Sequence, residues 1–139
     1  MFLVEKIIFL KKVALFADMS SDELLAIAQI SREESYASGT VVFNEGDPGD
    51  KMYLIASGKI DLSKRSDGSS ARIASLSSGS CFGEMAILTD AGRTLTAVAA
   101  EPSVLLSICK EDFKTIVEEV PSVPFQIFNV LCQRLRSML

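Results

Sequence analysis

Hydrophobic and polar positions follow three successive patterns along the chain: helical, then alternating, then helical again. Residues 2–10 have the spacing of a short amphipathic helix. Ser20 and Glu23 fit a capping box in front of a second helical stretch that carries Leu24, Ile27 and Ala28. From about residue 33 the period shortens to that of strands. The pattern predicts helices, then strands, then helices, without an internal repeat or a linker to a second domain.

The middle of the chain reads as a series of short strands separated by turns rich in glycine, serine and aspartate. Turn clusters lie at 44–50, 57–58, 66–70 and 101–103. The strands predicted between them are 40–43, 52–56, 59–63, 71–76, 94–100 and 104–109. Many short strands around one continuous core favour an all-β barrel or a jelly roll.

Helical spacing returns near the end of the chain. Phe113, Ile116 and Val120 share one helix face, and Pro121 ends that helix. A last helix follows, with Pro124 tolerated in its first turn. Its predicted apolar stripe consists of Phe128, Leu131, Cys132, Leu135, Met138 and Leu139. Such a stripe most often packs on the core, and it is also able to cover a ligand or a second protomer.

Composition removes several classes of function. The 139 residues include no histidine, which excludes a Ser-His or Cys-His nucleophile and a cupin-type metal enzyme, so we expect no catalytic and no metal site. A formal net charge of −4 argues against a nucleic-acid partner. Three widely spaced cysteines indicate reduced thiols and a cytoplasmic location. No apolar run approaches the length of a membrane span.

The candidate chemistry lies in residues 81–96. Gly83 precedes a run of good helix formers, and a short helix there would direct free backbone N–H groups toward one anion. Arg93, nine positions after Glu84, is placed to grip a phosphate with two parallel hydrogen bonds. Glu84 would then accept hydrogen bonds from hydroxyls beside that anion. The alternatives are an ion pair of Arg93 with Asp90 or Glu84, and a Glu84 that only favours its helix N-terminus.

The stretch FGEMAILTDAGRTLT resembles the phosphate-binding cassette of cyclic nucleotide-binding domains, which occur in catabolite activator proteins, kinase regulatory subunits and gated channels. The residues that match the family pattern are Phe82, Gly83, Glu84, Ala86, Arg93 and Thr96. Residues 39–58, with EGDPGD at 45–50, resemble the early strands of that family. The resemblance implies a mainly β fold: an eight-stranded β-roll of jelly-roll type with an N-terminal helical segment and two C-terminal helices.

The resemblance also implies the roles of single residues. Arg93 would pair with the cyclic phosphate, Glu84 would bind the ribose 2′-hydroxyl, and Thr94 would offer a hydroxyl beside the arginine. The full set of expected ligand-binding residues is Gly83, Glu84, Met85, Ala86, Arg93 and Thr94. Two positions depart from the family pattern: Gly92 stands where a proline usually precedes the arginine, and Leu95 stands where a small residue is usual.

These observations predict one domain over 1–139, with N-terminal helices in 1–31, a β-roll in 32–109 with its cassette at 82–96, and C-terminal helices in 110–139. The expected function is a non-enzymatic sensor of cAMP or cGMP, without a cofactor, that signals through its last helix. The alternative is a degenerate copy that only docks or dimerises. Expected partners are the nucleotide and either a second copy of the chain or an effector domain, linked covalently or not. The sequence ends at Leu139 without room for a helix-turn-helix, so this chain is not expected to bind DNA.

Overall fold

The computed structural model describes all 139 residues. Two helices come first, a short one interrupts the strands, and two follow them: α1 (Leu3–Leu10), α2 (Ser21–Ile30), α3 (Met85–Leu88), α4 (Lys110–Glu119) and α5 (Ser122–Ser137). The eight strands are β1 (Arg32–Tyr36), β2 (Val41–Phe43), β3 (Lys51–Ser57), β4 (Lys59–Ser66), β5 (Ser69–Ser77), β6 (Cys81–Phe82), β7 (Thr96–Ala99) and β8 (Ser103–Cys109).

The strands form two antiparallel four-stranded sheets with the orders β1-β8-β3-β6 and β2-β7-β4-β5. A small core fills the space between the sheets and includes Tyr53, Ile60 and Phe82. A larger core joins the outer face of β3 and β8 to the helices. This arrangement confirms the predicted β-roll with flanking helices. None of the five helices combines the length and the apolar character that a membrane crossing requires.

The helix boundaries follow local signals in the sequence. Ser20 and Glu23 form the predicted capping box: the Glu23 amide donates to Ser20 Oγ at 3.2 Å, and the Ser20 amide donates to Glu23 Oε1 at 2.8 Å. α4 ends just before the Val120-Pro121 pair, and Pro124 lies in the first turn of α5. These boundaries agree with the predicted ones.

Two features differ from the sequence prediction. β1 and β6 were not among the strands that the pattern predicted. The packed face of α5 consists of Val123, Ile127 and Val130, whereas Phe128 and Leu135 of the predicted stripe are exposed. The packed face differs from the predicted one because α5 carries apolar residues on two faces, and periodicity does not tell which of them meets the core.

Candidate functional site

The predicted site residues line one cavity of about 220 Å³ between the α3 segment and the sheet that contains β4 and β5. All six expected ligand-binding residues border it. The remaining lining residues are mostly apolar: Phe43, Leu62, Leu76, Cys81, Phe82, Gly92 and Leu95. The cavity therefore combines a few convergent polar groups with an apolar wall, as small-molecule sites usually do.

Gly83 allows the chain to turn sharply from β6 into α3. Its φ is +73°, a backbone conformation that other residues rarely adopt. A Cβ atom at this position would lie 2.6 Å from Nη1 of Arg93 and 3.4 Å from the carbonyl oxygen of Lys51. Gly83 therefore serves both the turn and the close approach of the arginine.

Arg93 is held inside the cavity and is only 7% exposed. Its Nη2 donates to the carbonyl oxygen of Lys51 at 2.7 Å, and its Nη1 donates to that of Gly83 at 3.4 Å. The buried Nε has no hydrogen-bond partner. The structure rules out the alternative of a surface ion pair, because Arg93 makes none and Asp90 pairs with Lys110 instead.

The guanidinium forms no ion pair and lies in a partly desolvated place. Burial lowers the pKa of Arg93 from its ordinary value, and the nearby Tyr53, Asp50 and Asp47 oppose that change. An arginine stays protonated in proteins despite such a shift. The cavity thus presents a cation with a free donor, which suits an anionic ligand.

Glu84 stands at the N-terminus of α3, where it is half-buried and its carboxylate accepts no hydrogen bond. It makes no capping hydrogen bond, so any contribution of Glu84 to the N-terminus of α3 is electrostatic. The neighbouring amide of Ala86 donates to the carbonyl oxygen of Gly83 at 3.2 Å, so it is engaged within the chain. Met85 is exposed at the edge of the cavity. The predicted contacts of the Met85 and Ala86 backbone amides with a phosphate stay predictions.

Thr94 is exposed at the rim of the cavity, and its hydroxyl has no partner in the chain. Its carbonyl oxygen accepts from Nζ of Lys64 at 3.4 Å. The two positions that depart from the family pattern lie on either side of Arg93 and Thr94. Leu95 adds apolar surface to the wall. A Cβ atom at Gly92 would lie 3.3 Å from the Asp47 carbonyl oxygen, so the chain is tightly packed there.

The acidic turn at 44–50 positions the backbone of the site. The Gly46 amide donates to the Arg93 carbonyl oxygen at 2.8 Å, and the Arg93 amide donates to the Asp47 carbonyl oxygen at 2.9 Å. A Cβ atom at Gly49 would lie 2.6 Å from the Ala86 Cβ, so α3 packs directly against this turn. The turn fixes the backbone of Arg93 from the outside.

Several residues of the site were missed by the sequence analysis. Phe43 lies under the guanidinium of Arg93, with the ring centroid 4.1 Å from Cζ. Arg134 of α5 borders a second cavity that also contains Cys81 and Glu84. Burial raises the pKa of Cys81 to about 11, the charge of Glu84 adds to this, and the nearby Arg134 opposes it. Only the three-dimensional fold brings these groups together, and no local signal in the sequence marks them.

The chain resembles known proteins in both sequence and structure. A family model described as "Cyclic nucleotide-binding domain" matches residues 33–120. A Thermus thermophilus protein named "Cyclic AMP receptor protein" is 35% identical over 130 residues, which are 92% of this chain and 60% of that protein. The chain thus spans about three fifths of the length of this relative.

Two solved structures share the fold closely. The N-terminal domain of a Streptomyces coelicolor transcriptional regulator has a TM-score of 0.86 at 27% identity, and the match covers 94% of both chains. The regulatory domain of Toxoplasma gondii PKA, solved with cAMP, has a TM-score of 0.78 at 26% identity over 84% of this chain and 45% of that one.

Proposed function

Because this chain belongs to the cyclic nucleotide-binding domain family, we propose that it is a regulatory domain that binds a purine cyclic nucleotide, cAMP or cGMP. The observation that carries the proposal is the state of Arg93. It is buried, forms no ion pair, and leaves Nε without a partner in a cavity bordered by Gly83 and Glu84. A buried charge of this kind is costly unless a counter-charge joins it.

In this proposal the cyclic phosphate lies against Arg93 and accepts from its free N–H groups. Glu84, whose carboxylate accepts no hydrogen bond from the chain, accepts from the ribose 2′-hydroxyl. The base lies against the apolar wall formed by Leu62, Leu76 and Leu95. Gly83, Met85 and Ala86 line the sugar and phosphate, and Thr94 offers its hydroxyl at the rim.

We further propose that occupancy of the site is transmitted through α5. Arg134 of α5 borders a cavity together with Glu84, so the helix reaches the ribose end of the site. The cassette is also tied to α4: Nζ of Lys110 donates to the Thr89 carbonyl oxygen at 3.0 Å and pairs with Asp90. A shift of the cassette toward a phosphate would therefore displace residues that contact both C-terminal helices, α4 and α5.

The partners in this proposal are the nucleotide and a second copy of the chain or a linked effector domain. The chain itself is assigned no catalysis and needs no cofactor. The exposed stripe of α5 suits a second copy, because Phe125, Phe128, Cys132 and Leu135 repeat at intervals of three and four residues. The whole chain, 1–139, acts as one domain, and its free cysteines suit a cytoplasmic setting.

The test is calorimetric titration of the chain with cAMP and with cGMP, in the wild type and in Arg93→Ala. Removing one partner of a buried charged contact costs roughly 2–5 kcal/mol, so the variant should bind about thirtyfold to several thousandfold more weakly. Glu84→Ala should lose less, because it leaves no charge unpaired. Saturating nucleotide should raise the melting temperature of the wild type, with about 2.7 kcal/mol of added stability at a hundred times Kd.

The matched control is Arg72→Ala, which removes an exposed arginine on β5 that faces Asp61. It should bind like the wild type. If Arg93→Ala bound within about threefold of the wild type, the phosphate would not lie on Arg93. If the folded wild type bound neither nucleotide at millimolar concentration, the degenerate docking domain would be the correct function.

A further inference from the structure

The guanidinium of Arg93 lies against the face of the Phe43 ring and forms no ion pair with a carboxylate. Cζ of the guanidinium lies 4.1 Å from the centroid of the Phe43 ring and 5.8 Å from that of Tyr53. The polar contacts on the remaining sides are the carbonyl oxygens of Lys51 and Gly83. One side chain, Phe43, therefore makes the closest contact with the plane of the cation.

An aromatic face holds a cation without neutralising it. The negative face of a ring attracts a guanidinium within about 6 Å, and the attraction grows when water is excluded. A carboxylate at the same place would hold the arginine more tightly and would compete with any arriving anion. Asp47 and Asp50 are near enough to favour the charged form of Arg93, yet neither forms an ion pair with it.

Phe43 is itself fixed in orientation. Its ring packs against Tyr53 at a centroid distance of 6.0 Å and against Phe82 at 5.9 Å. The pairing of β2 with β7 shifts register between Val41 and Phe43, an irregularity of the kind that re-aims a side chain. Phe43 is only half-buried, so one part of it contacts the aromatic cluster while a face remains for Arg93.

From these contacts we infer that Phe43 is a positioning residue: its ring holds the Arg93 guanidinium in the cavity, charged and with Nε free, before an anion arrives. The effect of Phe43 on affinity rests on the proposed function. An arginine that is already held loses less side-chain freedom when it binds a phosphate. The placement of Arg93 itself is a property of the ligand-free chain and can be measured without any nucleotide.

The test compares Phe43→Leu, which keeps apolar volume and removes the ring, with Phe43→Tyr, which restores a ring. The heteronuclear NOE of the Arg93 Nε–Hε group reports its rigidity on the picosecond to nanosecond scale. It should match that of the rigid backbone in the wild type and in Phe43→Tyr, and fall clearly in Phe43→Leu. The cAMP and cGMP affinities should fall about five- to thirtyfold in Phe43→Leu, which corresponds to about 1–2 kcal/mol.

The matched control is Phe16→Leu, which removes a fully buried ring from the helical core. It should lower the melting temperature and leave both the Arg93 NOE and the affinities unchanged. An equally rigid Arg93 in Phe43→Leu would overturn the inference whatever the affinities are. A wild type that binds no nucleotide would refute the proposed function, and the NOE would then decide the role of Phe43 alone.

Discussion

The two charged side chains of the cavity, Arg93 and Glu84, differ in burial and in their contacts with the chain. Arg93 is buried, seated on a ring and on two carbonyl oxygens, and its place depends on the missing side chain of Gly83. Glu84 is half-buried and makes no hydrogen bond through its carboxylate. The arginine is therefore held by contacts within the chain, whereas the carboxylate has no hydrogen-bond partner there.

Thr94 is the residue at which selectivity between cAMP and cGMP can be tested. Its exposed hydroxyl lies at the rim and has no partner in the chain. In Thr94→Val, which keeps the shape and removes the hydroxyl, we expect the affinity for cGMP relative to cAMP to fall about two- to tenfold, the value of one neutral hydrogen bond. Competition binding of both nucleotides to the wild type and the variant measures this ratio.

Thr115→Val on α4 is the control for that measurement, because its hydroxyl bonds only to the Glu111 carbonyl oxygen of the same helix. It should leave the ratio unchanged. An unchanged ratio in Thr94→Val as well would mean that the base is selected elsewhere, at the apolar wall or by α5.

At the element scale, the cassette and the C-terminal helices are mechanically connected. α3 has only four residues, and its Ile87 is buried in the same core cluster as Phe113 of α4 and Ile127 of α5. Lys110 begins α4 and holds the cassette through Thr89 and Asp90. A ligand biases such an arrangement only by binding one position of the helices better than another.

Nucleotide binding should therefore change the dynamics of α5. We expect slower amide hydrogen exchange in 131–139 when cAMP or cGMP is bound, because this end of the helix then closes on the site. A chain shortened after Val130 retains the buried Val123, Ile127 and Val130 and loses Arg134. It should bind nucleotide several-fold more weakly, as calorimetry would report.

Strand β1 is the internal control for the exchange experiment, because it pairs only with β8 and none of its residues borders either cavity. It should exchange at the same rate in both states. If 131–139 exchanged equally with and without nucleotide, and the shortened chain kept full affinity, α5 would be a packing element only.

At the scale of the whole molecule, α5 leaves an apolar surface that the fold does not cover. Phe125 is 71% exposed and Leu135 is 63% exposed, and Phe128 and Cys132 lie between them on the same face. Their spacing is that of the a and d positions of a coiled coil. Exposed apolar surfaces of this kind usually mark contacts between proteins.

We expect the chain to form a dimer through this stripe at micromolar concentration, and Leu135→Glu to convert it to a monomer, because a charge would be buried in the contact. Sedimentation velocity distinguishes the two states. Gln133→Glu, which places the same charge on an exposed position off the stripe, should remain dimeric. A monomeric wild type, or a dimeric Leu135→Glu variant, would contradict this use of α5.

Elements whose signals are local can be predicted from the amino-acid sequence alone. The capping box at Ser20 and Glu23, the break at Pro121 and the turn-rich middle of the chain each depend on residues a few positions apart, so they are readable without the fold. The run from Gly83 to Thr94 is equally local, and all six expected ligand-binding residues within it border one cavity.

Features that depend on contacts between distant segments are visible only in the folded chain. β1 and β6 are strands because β8 and β3 pair with them, not because of their own alternation. Which face of α5 is packed depends on its contact with the larger hydrophobic core. Phe43, Lys51 and Arg134 reach the site from β2, β3 and α5, far from the cassette in sequence. Hydrophobic periodicity reports the local period of a segment and carries no information about its partner, so these contacts required the fold.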